Sequence, residues 1–319
     1  MKIAFTSSML QQRFDSQPVW QRIQALDPDH LVLLGNTIHL DIDAAPRQMT
    51  DDEFGVHGHA LYRAQLAVPE FDALLRHMAG KGGRRVFAVW DDHDLLWRDA
   101  AGADIASQPE LEGKVARSKA LLLAFRQALA EVGSFTDSFD DIHPPPDDPL
   151  HESLPLRDDV WLHLTDGRSH RTGTWLVPHD KRALVGQPQL EAIAASVTAA
   201  EAQAVHLLAS ASTSSRWKDH PLDWRALNAL AGQHRMLMLS GDGHCNAFAS
   251  HAEAQGLALH EATASGAAVR DAVVYGADLE NFAIADIQPA AVHIRFFDRH
   301  GETASRHIRR EDWHIKTGA

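Results

Sequence analysis

Short apolar runs alternate along the chain with longer stretches that repeat apolar residues at helical spacing. The chain opens with an apolar run at residues 3–6, a helix-like segment at 19–26 and a second apolar run at 30–34 that ends at Gly35. Short continuous apolar runs bounded by turn residues are typical of strands buried on both faces. The strand–helix–strand order therefore predicts a parallel α/β sheet.

The same pattern continues to the C-terminal end. Further strands are predicted at 85–90, 160–164, 205–209, 236–239, 257–261, 282–287 and 291–297. Further helices are predicted at 51–78, 111–132, 187–198 and 223–231. The acidic, proline-rich stretch 137–155 is predicted to be a loop and not a domain boundary, because strand patterns resume on both sides of it. We expect one domain spanning residues 1–319.

Two clusters of acidic residues and histidines each follow a predicted strand. Residues 91–94, Asp-Asp-His-Asp, come after the strand at 85–90, and residues 240–244, Ser-Gly-Asp-Gly-His, come after the strand at 236–239. Ligand sites in open α/β folds form at the carboxyl ends of strands, so we expect the two clusters to meet. Carboxylates and neutral imidazoles are usual ligands of divalent metals. The sequence predicts one metal site whose ligands follow several strands, in an enzyme that activates water.

Two other polar segments follow strands and leave alternatives open. Residues 35–41, Gly-Asn-Thr-Ile-His-Leu-Asp, contain three potential ligands, but Gly-Asn is also ordinary turn chemistry. Residues 166–171, Asp-Gly-Arg-Ser-His-Arg, contain arginines whose planar fork matches phosphate. An ion-paired surface turn explains the second segment equally well.

Composition narrows the class of protein. The chain has 30 basic and 43 acidic residues, for a formal charge of −13, which disfavours non-specific binding to nucleic acid or anionic membranes. Apolar runs fall short of the roughly 18 residues of a membrane span. The N-terminal apolar run is too short for a signal peptide, and a single cysteine, Cys245, excludes an internal disulfide. We expect a cytoplasmic protein with no nucleic-acid or membrane partner. The sequence leaves the oligomeric state open.

The order of these motifs resembles the alkaline phosphatase D (PhoD-like) family of calcineurin-like metallophosphoesterases. The family patterns Trp-Asp-Asp-His-Glu/Asp and Ser-Gly-Asp-x-His are intact at residues 90–94 and 240–244. Less complete matches are Ser7-Ser8, residues 35–41, residues 165–171, Asp223-Trp224 and residues 261–266. The resemblance implies an α/β fold of the calcineurin-like sandwich type, with two β-sheets flanked by helices.

The departures from the family patterns fall in one half of the site. The family has anionic Cys, Asp and Tyr ligands where this chain has Ser8, Asn36 and His39. Neutral ligands do not suit a ferric ion. The first metal site is therefore weakened, retuned for a divalent ion or absent, whereas the second site, at Asp92, Asp242 and His244, is retained.

The resemblance implies a metal-dependent phosphoesterase acting on small-molecule phosphomonoesters or diesters. The implied cofactor is one or two divalent ions of Mn, Zn, Mg or Ca. The candidate ligands are Asn36, His39, Asp41, Asp92, Asp242 and His244. His93 would protonate the leaving alkoxide, and Arg168 would neutralise a phosphoryl oxygen. The alternative is a catalytically impaired protein that binds a phosphorylated or other ligand in the same cleft, since Asn36 replaces a bridging carboxylate.

Overall fold

Two six-stranded sheets form the centre of the molecule. The computed structural model describes residues 1–143, 149–173, 177–252, 256–271 and 277–316. The strands are β1 (Lys2–Thr6), β2 (His30–Leu34), β3 (Val86–Val89), β4 (Glu152–Arg157), β5 (Val160–Leu164), β6 (Val205–Ser210), β7 (Arg235–Ser240), β8 (Asn246–His251), β9 (Leu259–Ala264), β10 (Val269–Asp271), β11 (Ala277–Leu279), β12 (Phe282–Ile287), β13 (Ala291–Asp298) and β14 (Gly301–Arg309). The α-helices are α1 (Val19–Ala25), α2 (Asp51–Leu66), α3 (Pro69–Ala79), α4 (Asp92–Leu95), α5 (Gly102–Ile105), α6 (Pro109–Ala130), α7 (Gln187–Ala199), α8 (Ser214–Lys218) and α9 (Pro221–Ala231).

Both sheets are mixed. The first has the order β14-β13-β12-β1-β2-β3, in which β1, β2 and β3 run parallel and β12 to β14 are antiparallel neighbours. The second has the order β4-β5-β6-β7-β9-β8, in which β5, β6, β7 and β9 run parallel. β10 and β11 form a separate two-stranded sheet. This arrangement confirms the predicted α/β class with two sheets flanked by helices.

Three apolar cores separate four layers. Alternate residues of each central strand point to opposite faces. In β2, Val32 and Leu34 pack between the two sheets, whereas Leu31 and Leu33 pack under the helices of the N-terminal half. A third core lies between the second sheet and the helices α7 and α9. Strands covered on both faces are apolar at most positions, and for this reason their sequences contain continuous apolar runs.

The predicted element boundaries hold for most of the central strands, but the helix predicted at 51–78 is two helices. Pro69 has no backbone N–H and its ring would clash with the preceding helical turn, so α2 ends at Leu66 and α3 begins at the proline. Val68, the residue before the proline, takes ψ 120, outside the helical region. The chain therefore changes direction between two helices that the apolar periodicity alone did not separate.

The sequence patterns also missed strands at the margins of the sheets. β8 and β14 are edge strands whose residues are mostly exposed or half-buried, so neither has an apolar run. The loop predicted at 137–155 contains the first residues of β4, and its residues 144–148 lie outside the described part of the chain. In the described ranges, we find no helix with the length and apolarity to cross a bilayer. The single-domain organisation remains a prediction.

Candidate active site

The carboxyl ends of the parallel strands of both sheets meet at one edge of the molecule. Polar side chains follow each of these strands. They are Ser7 and Ser8 after β1, Asn36 after β2, Asp91 and Asp92 after β3, Asp166 and Arg168 after β5, Asp242 and His244 after β7, and Ser265 after β9. The indole Nε1 of Trp90 donates to Asp166 Oδ1 at 2.7 Å and joins the end of the first sheet to the end of the second.

Three carboxylates converge at this edge. Oxygen atoms of Asp91, Asp92 and Asp242 all lie within 4.8 Å of one another, which we call the acidic cluster. Asp91 is fully buried and Asp92 is 5% exposed. Burial and the neighbouring charges of Asp91 and Asp92 raise the pKa of Asp242 to about 7. The two segments that were predicted to meet, 91–94 and 240–244, do meet.

Arg168 neutralises one member of the acidic cluster. Its Nε donates to Asp91 Oδ1 at 2.6 Å, its Nη2 lies 2.5 Å from the same oxygen, and its Nη1 donates to the Ala100 carbonyl at 3.1 Å. The side chain is 2% exposed. The predicted contact of Arg168 to a phosphoryl oxygen stays a prediction, and in this structure its donors are directed at Asp91 and at the backbone. The structure gives Arg168 the task of holding Asp91.

Asp92 is held by the backbone of its own loop. Its Oδ2 accepts the Asp99 N–H at 2.7 Å and its Oδ1 accepts the His93 N–H at 3.1 Å. Burial would raise the pKa of Asp92, but the charges of Arg168 and His93 and these two backbone donors outweigh it, so the pKa is lowered. Asp92 therefore stays ionised, as a metal ligand must be.

His93 is oriented by Asp41. Its Nδ1 lies 2.5 Å from Asp41 Oδ1, and the other oxygen of Asp41 accepts the Arg98 N–H at 2.9 Å. Burial opposes charging of His93, but the bond to Asp41 and the charge of Asp92 raise its pKa. Both oxygens of Asp41 are thus engaged by protein groups. Asp41 as a metal ligand stays a prediction, and in this structure its carboxylate holds the imidazole of His93.

His39 lies against His93 and is buried. The two ring centroids are 4.4 Å apart, and His39 is 6% exposed. Burial and the neighbouring His93 lower the pKa of His39 to about 3, so its imidazole is neutral. Its Nδ1 is buried and has no hydrogen-bond partner among the described residues. A buried, neutral nitrogen of this kind has a lone pair to offer an ion.

Asp94 connects the loops that follow β2 and β3. Its Oδ1 accepts the backbone N–H groups of Thr37 and Ile38 at 2.9 and 3.1 Å, and its Oδ2 accepts the Asp91 N–H at 2.9 Å. Asn36 Nδ2 adds a contact of 3.3 Å to Asp91 Oδ2. A Cβ on Gly35 would come within 2.7 Å of the Asp91 Cβ, so this glycine permits the close approach of the two loops.

Three buried hydroxyls form the base of the site. Ser7 Oγ donates to Ser265 Oγ at 2.8 Å, and Ser8 Oγ lies 3.2 Å from the same atom. Ser7 Oγ also accepts the Asp242 N–H at 3.2 Å. The hydroxyls thus tie the loop after β7 to the ends of β1 and β9. Serine at these positions forms a hydrogen-bonded base and supplies no charge.

Several residues of the site have left-handed backbone conformations. Ser8, Asn36, Asp99, Asp242 and His244 have φ between 45 and 64. These account for five of the eight non-glycine residues with positive φ in the described chain. Left-handed backbone is strained for most side chains and clusters at functional sites. The loops are therefore held by their hydrogen bonds in conformations that the local sequence disfavours.

A cavity of about 580 Å³ opens onto the acidic cluster. Six of the predicted residues line it, namely Asn36, His39, Asp92, His93, Asp242 and His244. His244 shares this cavity but is not one of the three residues of the acidic cluster. Asp92 and Asp242 lie close together, with Asp91 as their third neighbour. That Asp92, Asp242 and His244 share one ion stays a prediction.

Asp91, Asp94 and Asp99 are the residues that the sequence did not single out. Asp91 and Asp94 belonged to the quoted motif, but only the structure separates the cluster carboxylate from the one that caps the loops. Asp99 contributes through its backbone N–H, which carries no sequence signal.

Comparisons with known proteins agree with this architecture at the level of the fold. No protein-family model matches the chain, and no curated protein matches it. The solved structure of PhoD aligns with 100% of this chain and 72% of its own, with a TM-score of 0.65 and 14% identity. Two further solved structures align less closely. One is a predicted phosphoesterase from Streptococcus pneumoniae, with 9% identity, 97% of each chain aligned and a TM-score of 0.35. The other is a double mutant of Vps29 from Entamoeba histolytica, with 11% identity, 97% of this chain and 99% of the other aligned, and a TM-score of 0.36; we draw no conclusion from either. The chain therefore shares the fold of PhoD, as its motif order predicted.

Proposed function

We propose that this protein is a metal-dependent phosphoesterase. The observation that carries the proposal is the acidic cluster, in which two carboxylates from the end of β3 and one from the end of β7 lie within 4.8 Å. Like charges this close repel one another and are costly when buried, unless a cation lies among them. The fold similarity to PhoD supports the same conclusion.

The residues at the site fit a divalent ion. Asp92 and Asp242 offer carboxylate oxygens, Asn36 an amide oxygen, and His39 and His244 imidazole nitrogens, all lining one cavity. The buried Nδ1 of His39 has no partner among the described residues, as expected of a side chain that completes a site on binding an ion. This mixed O and N donor set suits Mn, Zn, Mg or Ca, and one or two ions. A bound ion would supply a lowered pKa for water and positive charge beside phosphate oxygens.

The chain itself supplies the proton for the leaving group. Asp41 engages Nδ1 of His93, which fixes the imidazole and leaves Nε2 to donate. A positioned general acid contributes roughly 10²–10⁴-fold to rate. Arg168 acts through Asp91, because it holds this carboxylate in place and partly offsets the negative charge of the acidic cluster. The substrate is a small-molecule phosphomonoester or diester.

A second candidate, a ligand-binding protein with impaired catalysis, is favoured by one observation. Asp91 already has Arg168 on one oxygen and the Asn36 amide on the other, so this carboxylate is occupied without any ion. With Asn36 in place of a carboxylate, a bridging anionic ligand is missing at that position. Such a protein would bind a phosphorylated ligand in the cavity without hydrolysing it.

The test measures metal content and hydrolysis together. Protein stripped with EDTA is reloaded with Mn²⁺, Zn²⁺, Mg²⁺ or Ca²⁺, and its ion stoichiometry and its hydrolysis of 4-nitrophenyl phosphate and bis(4-nitrophenyl) phosphate are measured. The double variant Asp92→Asn/Asp242→Asn is expected to lose both ion and activity. Asp140→Asn, an exposed acid outside the site, is the control. Ion binding without any hydrolysis favours the second candidate, and no ion binding by the wild type contradicts the first.

A further inference from the structure

A second cavity of about 520 Å³ adjoins the first. Its apolar lining comes from Leu10 and Phe14, between β1 and α1, from Ile42, after β2, and from Val269, at the start of β10. Its volume lies in the range of small-molecule sites, roughly 300–1,000 Å³. The rest of its lining is polar or charged and comprises Arg13, His39, Asp41, His93, Arg98, His244 and Arg270, so the cavity combines an apolar wall with polar side chains.

Three histidines, His39, His93 and His244, line both cavities, as do Arg98 and Arg270. Asp92 and Asp242 line only the first. His93 directly follows Asp92 in the chain and lines both cavities, so it can contact both a phosphoryl group at the acidic cluster and a group in the second cavity. In hydrolysis the oxygen of water bonds to phosphorus, the bond from phosphorus to the leaving oxygen breaks, and that oxygen keeps the electron pair and takes the proton of His93. The leaving group must lie on the side of His93.

The geometry points to the second cavity as the site for the leaving group, and we propose that it selects phosphoesters whose leaving group carries an apolar ring. This inference rests on the proposed function. The cavity gives such a ring the apolar contacts of Leu10, Phe14, Ile42 and Val269, which a small alkyl alcohol is too short to fill. The chemistry recognised is therefore an aryl or arylalkyl ester of phosphate.

The apolar walls are fixed by hydrogen bonds. Leu10 N donates to the Ala268 carbonyl at 2.9 Å, and Phe14 N donates to the Leu10 carbonyl at 3.0 Å, so this segment is a closed turn. Gln12 Nε2 donates to the His39 carbonyl at 2.9 Å and ties the turn to the histidine. A preformed wall loses little freedom when a ligand binds, which favours selectivity.

The experiment compares esters whose leaving alcohols have similar basicity. Benzyl phosphate and ethyl phosphate, each also as the methyl diester, are assayed with Mn²⁺-loaded wild type, Phe14→Ala and the control Leu222→Ala, which removes an exposed apolar side chain of α9. The wild type is expected to prefer benzyl over ethyl by about tenfold or more in kcat/KM, since pocket contacts discriminate apolar groups by about 10–200-fold. Phe14→Ala is expected to reduce that ratio at least threefold, and Leu222→Ala to leave it unchanged.

Binding provides a second measurement that does not need turnover. Calorimetry with phenylphosphonate and methylphosphonate is expected to show tighter binding of the phenyl compound by wild type and a smaller difference for Phe14→Ala. If both proteins hydrolyse the esters and the benzyl-to-ethyl ratio of kcat/KM is the same in wild type and Phe14→Ala, this inference is overturned and the proposed function is kept. If no ester is hydrolysed but phenylphosphonate still binds more tightly than methylphosphonate, and this preference depends on Phe14, the proposed function is overturned and the apolar site is kept. Neither hydrolysis nor phenyl-selective binding overturns both.

Discussion

Asp41 and His93 form a hydrogen-bonded pair in which Oδ1 of the carboxylate lies 2.5 Å from Nδ1 of the imidazole. The two residues follow different strands of the first sheet. Because the other oxygen of Asp41 is held by the Arg98 N–H, the carboxylate cannot swing away from the ring without losing that bond. The imidazole is therefore presented in one orientation.

We expect Asp41→Asn to lower kcat by about 10–100-fold, as observed when partners that orient catalytic or metal-bound groups are removed. KM and ion stoichiometry are expected to stay close to wild type, because Asp41 acts through His93. Steady-state kinetics and metal analysis check this, with the exposed Asp15→Asn as control. A loss of bound ion in Asp41→Asn would identify Asp41 as a ligand.

His93→Ala is expected to lower turnover by about 10²–10⁴-fold, the contribution of a general acid, with ion content unchanged. The effect should be smaller for 4-nitrophenyl esters than for alkyl esters, since a nitrophenolate needs less help from a proton. Assays on both substrate types distinguish the roles. Equal loss on both, together with loss of ion, would identify His93 as a ligand.

Removing Arg168 tests the buried pair with Asp91. Arg168→Met leaves the Asp91 carboxylate buried without its main partner, and breaking a buried pair in this way costs about 3–5 kcal/mol. Urea unfolding of the EDTA-treated protein measures the free energy of unfolding. The control Arg63→Met removes an exposed pair with Asp137, for which we expect a change within about 0.5 kcal/mol. Equal effects of the two variants would show that the pair with Asp91 is weak.

Asn36→Asp places a further carboxylate 3.3 Å from Asp91, measured from the amide nitrogen that it replaces. Without an ion the added repulsion is expected to lower Tm. With Mn²⁺ the same charge is expected to raise Tm above that of the loaded wild type and to raise ion stoichiometry and activity together. Thermal unfolding with EDTA and with Mn²⁺ measures both effects, and the exposed Gln233→Glu is the control. An equal response to Mn²⁺ in Asn36→Asp and wild type would remove Asn36 from the ligands.

The pair of His163 and His206, outside the active site, predicts acid sensitivity. Burial lowers the pKa of His163 to about 3 and that of His206 to about 4. The unfolded chain takes up these protons near pH 6.5, so the free energy of unfolding falls as pH is lowered from about 6.5 toward the folded pKa values. For His163 this amounts to on the order of 2 kcal/mol at pH 5.

His163→Gln is therefore expected to have a shallower dependence of unfolding free energy on pH between about 6.5 and 4. Urea unfolding at a series of pH values measures the slope. The exposed His300→Gln should keep the wild-type slope. Parallel slopes for wild type and His163→Gln would place the acid sensitivity elsewhere.

The central strands could be predicted from the sequence because burial on both faces imposes apolar residues at most positions. β2 and β7 contain the continuous apolar runs 31–34 and 236–239, and every residue of the two strands is buried. The charged segments after β3 and β7 were expected to meet because sites form at the carboxyl ends of strands. Edge strand β14 has one buried residue in nine, so no such signal exists there.

The roles within the site could not be predicted in the same way. Arg168 and Asp41 look like a phosphate contact and a metal ligand by residue type. Their actual partners, Asp91 and His93, are 77 and 52 residues away in sequence. Hydrogen bonds over such separations depend on how the strand ends are juxtaposed, and local pattern carries no information about that.

The left-handed residues at the strand ends have a consequence for engineering. Selection for thermal stability alone would enrich glycine at Ser8, Asn36 and Asp242, since glycine adopts positive φ without steric penalty. Each such substitution would remove a side chain that the site uses, so the most heat-resistant sequences recovered would be the least able to hold an ion. The side chains that the site needs at these three positions thus limit the melting temperature of this chain. Libraries that aim to raise the melting temperature should leave the three positions fixed.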